Sequence, residues 1–285
     1  MTIKRVGVVG SGIMGGGITE CAALAGHDVI LRSRGLATAE GTIARVERSL
    51  DRRVDKGTLS PEDRADAANR ITATSDLHEL ADCDLVIESI VEELAAKRHV
   101  FSELDRICGE HTLLATNTST LPVIEMAMET GRPGKVCGIH FFNPAPLMSL
   151  VEIVRTITTD DDTLEEAKAF AEACGKTAIV VKDQAGFVVN ALLFPYLNNA
   201  VRLLEQGVAS MEDIDEAMKG GCGFPMGPFA LLDLVGLDTS VAILDALYAE
   251  HRDPNYAPVP RLRRMVAAER LGRKTGEGFY RYPRS

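Results

Sequence analysis

The sequence has no excess of positive charge, and this shortage argues against one broad class of partner. Lys and Arg number 31 against 41 Asp and Glu, so the formal net charge is -10 at pH 7. Because neutralising nucleic-acid phosphates requires a basic face, we expect no nucleic-acid partner. An acidic protein that binds an anionic small molecule must do so with donors placed locally.

The sequence also shows no cysteine pair at C-x-x-C spacing and no long apolar run. The six cysteines are scattered without a C-x-x-C pair or close His spacing, which predicts reduced, mostly buried thiols and no metal site. Residues 1–6 run straight into a strand-like segment, so we expect no signal peptide. No apolar stretch reaches membrane-spanning length. These absences predict a cytoplasmic protein without a membrane partner.

Short β-rich segments alternate with helical patterns over the first part of the chain. Such alternation predicts an α/β fold with a doubly wound, Rossmann-type, mostly parallel sheet. The predicted strands span residues 4–9, 28–32, 85–89, 112–116, 136–140, 150–155 and 178–181. The predicted helices between them span residues 14–25, 38–56, 93–108 and 164–174.

The pattern changes after residue 183, where only helical spacing remains. Predicted helices span residues 187–206, with Pro195 as a kink, and then 210–219, 228–248 and 260–271. We therefore predict a dinucleotide-binding domain over residues 1–183, carrying the chemistry, and an all-α domain over residues 184–285.

A glycine-rich turn joins the first predicted strand to the first predicted helix. Its sequence matches G-x-G-x-x-G, and the strand before it and the helix after it give the motif its meaning. The first glycine permits the tight turn, the second lets the backbone approach a pyrophosphate, and the third allows close helix packing. The pyrophosphate lies at the positive helix N-terminus. The predicted cofactor-binding residues are Gly10, Ser11, Gly12, Ile13, Met14 and Gly15.

The end of the second predicted strand bears on the type of dinucleotide. NAD is usually held there by a carboxylate about 20 residues past the motif. Residues 29–39 contain no Asp or Glu, and Ser33 and Arg34 stand at this point instead. A serine hydroxyl and a guanidinium can both bind a 2′-phosphate, so the sequence favours NADP. The alternative is an NAD enzyme that simply lacks the acid.

Three polar side chains lie after, at the end of or inside predicted strands, and a fourth, Asn190, lies near the start of the predicted all-α domain. Ser119 follows the strand 112–116, His140 ends the strand 136–140, and Glu152 interrupts an apolar strand. A carboxylate beside an imidazole fixes its tautomer and stabilises its protonated form. Such a pair can take a proton from a hydroxyl while hydride leaves the same carbon. Ser119 and Asn190 can donate hydrogen bonds to the reacting oxygen.

Several ordered segments together resemble the 3-hydroxyacyl-CoA dehydrogenase family, most nearly its short single-chain 3-hydroxybutyryl-CoA dehydrogenases. The resemblance covers residues 7–282 and implies interconversion of a (3S)-3-hydroxyacyl-CoA and a 3-oxoacyl-CoA, with a homodimer formed through the helical domain. The segments that carry it are the glycine turn and residues 117–119, 140–144, 186–190, 225–228 and 272–280.

The resemblance also implies individual roles. His140 is the general acid/base with Glu152 as its partner, and Ser119 and Asn190 bind the C3 oxygen or the thioester carbonyl. Nicotinamide-side contacts are implied for Glu92, Lys97, Ser119, Asn143 and Lys274. One departure concerns the cofactor, because most relatives carry an acid where this chain has Ser33.

Coenzyme A contacts are implied for Ser49 and Lys56, whose alternative interpretation is ordinary helix-surface polarity. Arg45, Arg48, Arg52 and Arg53 make the same helix basic, which suits nucleotide phosphates.

Two competing functions remain open from the sequence. The first is an NAD-dependent dehydrogenase acting on a related hydroxyacid or on a hydroxyacyl group bound to a carrier protein. The second is a non-catalytic dinucleotide-binding protein. The acid/base pair of His140 and Glu152 argues against the second, because a mere binder does not need it.

Overall fold

An eight-stranded sheet organises the first part of the chain in the computed structural model, which describes residues 3–283. Residues 1–2 and 284–285, the outer ends of the two predicted domains, lie outside the described residues. The strands are β1 (Arg5–Val9), β2 (Asp28–Arg32), β3 (Ile71–Thr74), β4 (Leu85–Glu88), β5 (Leu113–Thr116), β6 (Val136–Phe141), β7 (Leu150–Arg155) and β8 (Thr177–Lys182).

The spatial order of the strands is β3-β2-β1-β4-β5-β6-β7-β8. Neighbouring strands run parallel except at one place, where β6 and β7 pair antiparallel. The predicted Rossmann-type, mostly parallel sheet is therefore confirmed. The one antiparallel pairing sets His140 directly opposite Glu152.

Six helices accompany this sheet within residues 3–183. They are α1 (Ile13–Leu24), α2 (Leu36–Asp55), α3 (Pro61–Asn69), α4 (Leu94–Ile107), α5 (Val123–Ala127) and α6 (Asp161–Ala173). Alternating apolar side chains of the strands, such as Val6, Val8, Leu85 and Ile87, form one core with the buried side of α1.

The sequence analysis missed β3, α3 and α5. Only one residue of β3 is buried, so this edge strand carries too few apolar side chains to be recognised. Helix α3 had a local signal, because Ser60 accepts a hydrogen bond from the Asp63 amide and Pro61 occupies the first helical position. Helix α5 has only five residues, which is too short for a periodic pattern.

The cysteines behave as small apolar residues. Cys21, Cys83, Cys108 and Cys137 are buried, Cys174 is partly buried and Cys222 is exposed, and all six are free. Burial raises the pKa of the Cys137 thiol to about 12, which keeps it protonated. Among the helices of residues 3–283, none combines the length and apolar character that crossing a membrane requires.

The chain divides into two compact units between Asp183 and Gln184, and the second unit is helical. Its helices are α7 (Val189–Glu205), α8 (Met211–Cys222), α9 (Pro228–Val235), α10 (Leu237–His251) and α11 (Pro260–Ala267). The prediction of one helix over residues 228–248 was wrong. Gly236 interrupts it with φ 101°, a left-handed conformation that glycine adopts readily.

Two buried carboxylates organise the second unit. Asp215 accepts hydrogen bonds from the Phe229 and Ala230 amides, at the start of α9, and from the Tyr280 hydroxyl. Asp233 accepts from the amides of Phe279 and Tyr280 and from the Tyr282 hydroxyl. The C-terminal segment is therefore fixed to α8 and α9 by charge-assisted hydrogen bonds.

We expect Asp215→Asn to lower the free energy of unfolding by about 2 kcal/mol. The amide nitrogen of the new side chain would face N–H and O–H donors from which the carboxylate now accepts hydrogen bonds. Denaturant unfolding measures this change. The control is Asp245→Asn, which breaks an exposed pair with Arg263 and should cost less than about 1 kcal/mol. Equal effects of the two substitutions would contradict the structural role given to Asp215.

Candidate active site

The centre of the site is a buried imidazole paired with a buried carboxylate. His140 is 3% exposed and Glu152 is fully buried, on adjacent strands. The Nδ1 atom of His140 lies 2.8 Å from Oε2 of Glu152. With Nδ1–H donating to the carboxylate, Nε2 is the ring atom left to exchange a proton. The predicted juxtaposition of these two residues is thus present in the structure.

The segment after β5 brings a hydroxyl to that second ring nitrogen. The Oγ atom of Ser119 lies 3.1 Å from Nε2 of His140. Asn117, two residues earlier, accepts a hydrogen bond from the Phe141 amide through its side-chain oxygen at 2.8 Å. The ends of β5 and β6 are thereby fixed together, as expected for ligand-binding residues at the carboxyl ends of parallel strands.

Glu92 holds the Ser119 segment from the other side. Its Oε1 accepts hydrogen bonds from the Thr118 hydroxyl and from the amides of Ser119 and Thr120. Burial opposes ionisation of Glu92, but the charge of Lys97 and these hydrogen bonds outweigh it and lower the pKa of the carboxyl. Lys97 is 1% exposed, and its ammonium contacts the buried carboxylate of Glu88 and the exposed carboxylate of Glu92.

The glycine turn has the geometry of an anion-binding loop. Gly10 has φ 124°, and a Cβ at Gly15 would overlap the Gly10 carbonyl oxygen, so both positions require glycine. A Cβ at Gly12 would meet no described atom within 4 Å, so this backbone faces open space. Helix α1 begins there without an acidic residue in its first turn or a side-chain cap from the described residues. Its free N–H groups suit a pyrophosphate.

The tip of β2 carries the residues that bear on cofactor type. Ser33 follows β2, and its Oγ accepts a hydrogen bond from the Ser11 hydroxyl at 2.8 Å. The guanidinium-bearing Arg34 is exposed. Asp28 is exposed at the opposite end of the strand. A serine hydroxyl therefore lies next to the glycine turn, and an exposed arginine follows it in the chain, at the point where a carboxylate would select the unphosphorylated dinucleotide.

A cleft of about 250 Å³ runs beside the glycine turn. Gly12, Ser49 and Asn143 all line it, so the structure brings together residues assigned to the cofactor and to coenzyme A. Lys56 is exposed directly after α2, seven residues beyond Ser49 and thus on the same helix face.

A carboxylate that the sequence analysis missed also lines this cleft. Glu20 is 3% exposed, and its Oε1 lies 3.6 Å from Nη1 of Arg53. Burial raises the pKa of Glu20, and a hydrogen bond with Ser49 and the nearby arginines oppose that effect. The only sign of Glu20 in the sequence was that a polar residue stands on the glycine-rich face of α1.

The remaining predicted site residues belong to the second unit. Asn190 is buried near the start of α7. Lys274 is exposed, and its Nζ lies 2.6 Å from both carboxylate oxygens of Asp238. Within residues 3–283, no cluster of three His, Cys, Asp or Glu side chains could hold a metal ion.

A second missed residue, Glu88, is fully buried at the end of β4 and hydrogen-bonded to Lys97. Its sequence signal is the one that identified Glu152, an acid inside an apolar strand. That signal was overlooked because Glu88 stands at a strand end, where polar residues are common.

The comparisons with known proteins agree along the whole chain. Residues 5–184 match the model of the 3-hydroxyacyl-CoA dehydrogenase NAD-binding domain, and residues 186–282 match that of the family's C-terminal domain. The chain is 45% identical over 282 residues to a 3-hydroxybutyryl-CoA dehydrogenase of Mycobacterium tuberculosis, covering 98% of this chain and 99% of that one. It is 43% identical over 296 residues to the mitochondrial hydroxyacyl-coenzyme A dehydrogenase of Sus scrofa, covering 98% and 91%.

A solved structure supports the same relationship. The crystal structure of (S)-3-hydroxybutyryl-CoA dehydrogenase from Ralstonia eutropha superposes with a TM-score of 0.96 at 42% identity, covering 99% of this chain and all of that one. By sequence and by fold, this chain belongs to the 3-hydroxyacyl-CoA dehydrogenase family.

Proposed function

We propose that this chain is a dehydrogenase that interconverts a (3S)-3-hydroxyacyl-CoA, with 3-hydroxybutyryl-CoA as the first candidate, and the matching 3-oxoacyl-CoA. The observation that carries the proposal is the chain of contacts from the partly buried Ser119 through His140 to Glu152, both of which are buried. The proposal is supported by relatives that are 45% identical over nearly the whole chain and are named 3-hydroxybutyryl-CoA dehydrogenase or probable 3-hydroxybutyryl-CoA dehydrogenase.

His140 is the proposed general acid/base. In reduction, Nε2–H gives its proton to the C3 oxygen, and in oxidation Nε2 takes the proton from the C3 hydroxyl. Glu152 is fully buried and hydrogen-bonded to Nδ1, so it stabilises the imidazolium and keeps Nε2 turned toward Ser119. When bound, the nicotinamide supplies or accepts the hydride at C3.

Ser119 and Asn190 are proposed to bind the reacting oxygen or the thioester carbonyl. The Ser119 hydroxyl is in hydrogen-bond range of Nε2, so an oxygen bound by this hydroxyl is close to the proton-carrying atom. The Asn190 amide is the second proposed donor. Donors fixed in advance stabilise developing negative charge without reorganising during the reaction.

The residues around the glycine turn fit a dinucleotide. Backbone amides at the start of α1 would hold the pyrophosphate, and the turn residues Ser11, Ile13 and Met14 would line it. Glu92, Lys97, Asn143 and Lys274 are proposed for the nicotinamide side. The family model describes this domain as NAD-binding.

We further propose that NADP(H) is preferred over NAD(H). The support is the position of the Ser33 hydroxyl beside Ser11 and the exposed Arg34 guanidinium, with no carboxylate in residues 29–39. A guanidinium forms paired hydrogen bonds with phosphate oxygens, whereas a carboxylate would repel them.

The basic face of α2 is the proposed site for coenzyme A. Arg45, Ser49, Arg52 and Lys56 follow one another at intervals of four, three and four residues and therefore share one side of the helix. Three cations and a hydroxyl on one face suit nucleotide phosphates. Ser49 and Arg52 also line the cleft beside the glycine turn.

The second unit is proposed to complete the substrate site and to form a homodimer. Its support is a set of exposed apolar side chains: Leu192, Leu203, Val208, Phe224 and Leu234. Large apolar side chains that stand in water on a helical unit favour burial against another subunit.

His140→Ala should lower kcat for acetoacetyl-CoA reduction by about 10²–10⁴-fold, because the variant lacks the proposed proton donor. Cofactor dissociation constants should change less than about twofold. The matched control is His78→Ala, since His78 also pairs with a carboxylate, Asp76, but is exposed away from these contacts. Wild-type kcat in the His140 variant would remove the residue from the mechanism.

The same assay identifies the substrate class. The wild-type protein should reduce acetoacetyl-CoA with a much higher kcat/KM than free acetoacetate or an acetoacetyl group on a carrier protein. A preference for free acetoacetate would identify a related hydroxyacid as the substrate, and a preference for the other compound would identify a carrier-bound group. The result of His140→Ala would still test whether His140 transfers the proton.

Arg34→Ala should weaken NADPH binding by about tenfold through the loss of a charged hydrogen bond, while NADH binding stays nearly constant. The control is Arg70→Ala, because Arg70 lies by Asp28 at the other end of β2. Fluorescence titration of both reduced dinucleotides measures the ratio. Equal weakening of the two cofactors by Arg34→Ala would overturn the proposed preference.

A further inference from the structure

The carboxylate of Glu88 is buried completely and yet accepts four hydrogen bonds. Its Oε1 accepts from the Ile90 amide at 2.6 Å and from Nζ of Lys97 at 2.7 Å. Its Oε2 accepts from Nζ of Lys97 at 3.0 Å and from the Thr116 hydroxyl at 2.7 Å. Glu88 is the last residue of β4, Thr116 is the last residue of β5, and Lys97 lies on α4. The Glu88 carboxylate therefore links the ends of two neighbouring strands to this helix.

Lys97 connects this carboxylate to a second one. Its Nζ also lies 3.3 Å from Oε2 of Glu92, so one ammonium lies between two carboxylates. A buried ammonium is costly unless it is paired and hydrogen-bonded, and at 1% exposure water contributes little. Glu88, with two short contacts, is the main counter-charge, and this leaves Oε1 of Glu92 available to other donors.

The available oxygen of Glu92 holds the Ser119 segment. It accepts from the Ser119 amide at 2.9 Å, and the Ser119 hydroxyl lies 3.1 Å from Nε2 of His140. A continuous series of contacts therefore runs from Glu88 through Lys97 and Glu92 to Ser119 and the imidazole.

We propose that Glu88 is a positioning residue that sets the Ser119 hydroxyl against His140 by acting through Lys97 and Glu92. Removing the charge of Glu88 leaves Lys97 with Glu92 as its one close counter-charge among residues 3–283. The ammonium then draws Glu92 away from the Ser119 amide, and the hydroxyl loses its fixed place. The inference rests on the proposed function only where it predicts turnover.

A double-mutant cycle on kcat for acetoacetyl-CoA reduction, at saturating cofactor, tests the route of this effect. Glu88→Gln should lower kcat by about tenfold, of the order expected when one oriented donor is lost. In a Ser119→Ala background the same substitution should change kcat by less than about twofold, because its target is already gone. A general structural effect would instead give the same loss in both backgrounds and would overturn the inference.

Hydrogen–deuterium exchange of the peptide covering residues 117–122 gives a readout that does not depend on activity. In the cofactor-free protein, Glu88→Gln should speed exchange at the Ser119 amide by about fivefold, the effect of losing one hydrogen bond. The control is Asp105→Asn, which breaks the partly buried pair with Arg132 and touches none of these residues. Unchanged exchange in the Glu88 variant, or equal acceleration in the control, would contradict the proposal.

If Glu88→Gln does not fold, Glu88→Asp replaces it, because the shorter side chain keeps a carboxylate in the buried site but withdraws it from Lys97. The ammonium should then lie closer to Glu92, so this variant should also show faster exchange at the Ser119 amide and no further loss of kcat in the Ser119→Ala background. If the wild type does not turn over acetoacetyl-CoA, the proposed function fails while the exchange experiment still decides the role of Glu88.

Discussion

The hydrogen-bonded pair of His140 and Glu152 is the interaction on which the active-site side of the sheet depends. A carboxylate as deeply buried as Glu152 costs several kcal/mol unless a partner compensates it. The antiparallel register of β6 and β7 supplies that partner directly across the ladder. A shift of the register by one residue would turn one side chain to the other face and separate the imidazole from the carboxylate. The reversal of strand direction between β6 and β7 thus sets the two groups within hydrogen-bond distance.

The neighbouring strands extend this arrangement. The ends of β4, β5 and β6 carry Glu88, the Ser119 segment and His140, and side-chain hydrogen bonds join them there in addition to the backbone pairing. The hydrogen bonds of Thr116 with Glu88 and of Asn117 with Phe141 are buried, and a buried hydrogen bond fixes a position more strictly than apolar packing does. The glycine turn differs from these strand ends, because its backbone faces open space and the amides at the start of α1 are suited to bind an anion.

The sequence predicted the strands and the pairing of His140 with Glu152 because both depend on local patterns. Alternation of apolar segments placed seven of the eight strands, and a carboxylate inside an apolar strand indicated a buried partner. Glu88 was missed because it lies at the end of its strand, where polar residues are common, and Glu20 was missed because its partners Ser49 and Arg53 lie on another helix. The helix break at Gly236 was missed because glycine is tolerated inside apolar helical patterns, and only the observed backbone angle shows which role it has.

The pair itself can be tested most directly by Glu152→Gln, which keeps the shape and a hydrogen bond to Nδ1 but removes the charge. Steady-state reduction of acetoacetyl-CoA should show kcat lowered by at least about 10²-fold, since the imidazolium loses its stabilising charge. KM for the cofactor should stay within about threefold, because the glycine turn does not contact this residue. A kcat close to that of the wild type would contradict the account of a buried carboxylate that supports proton transfer by His140.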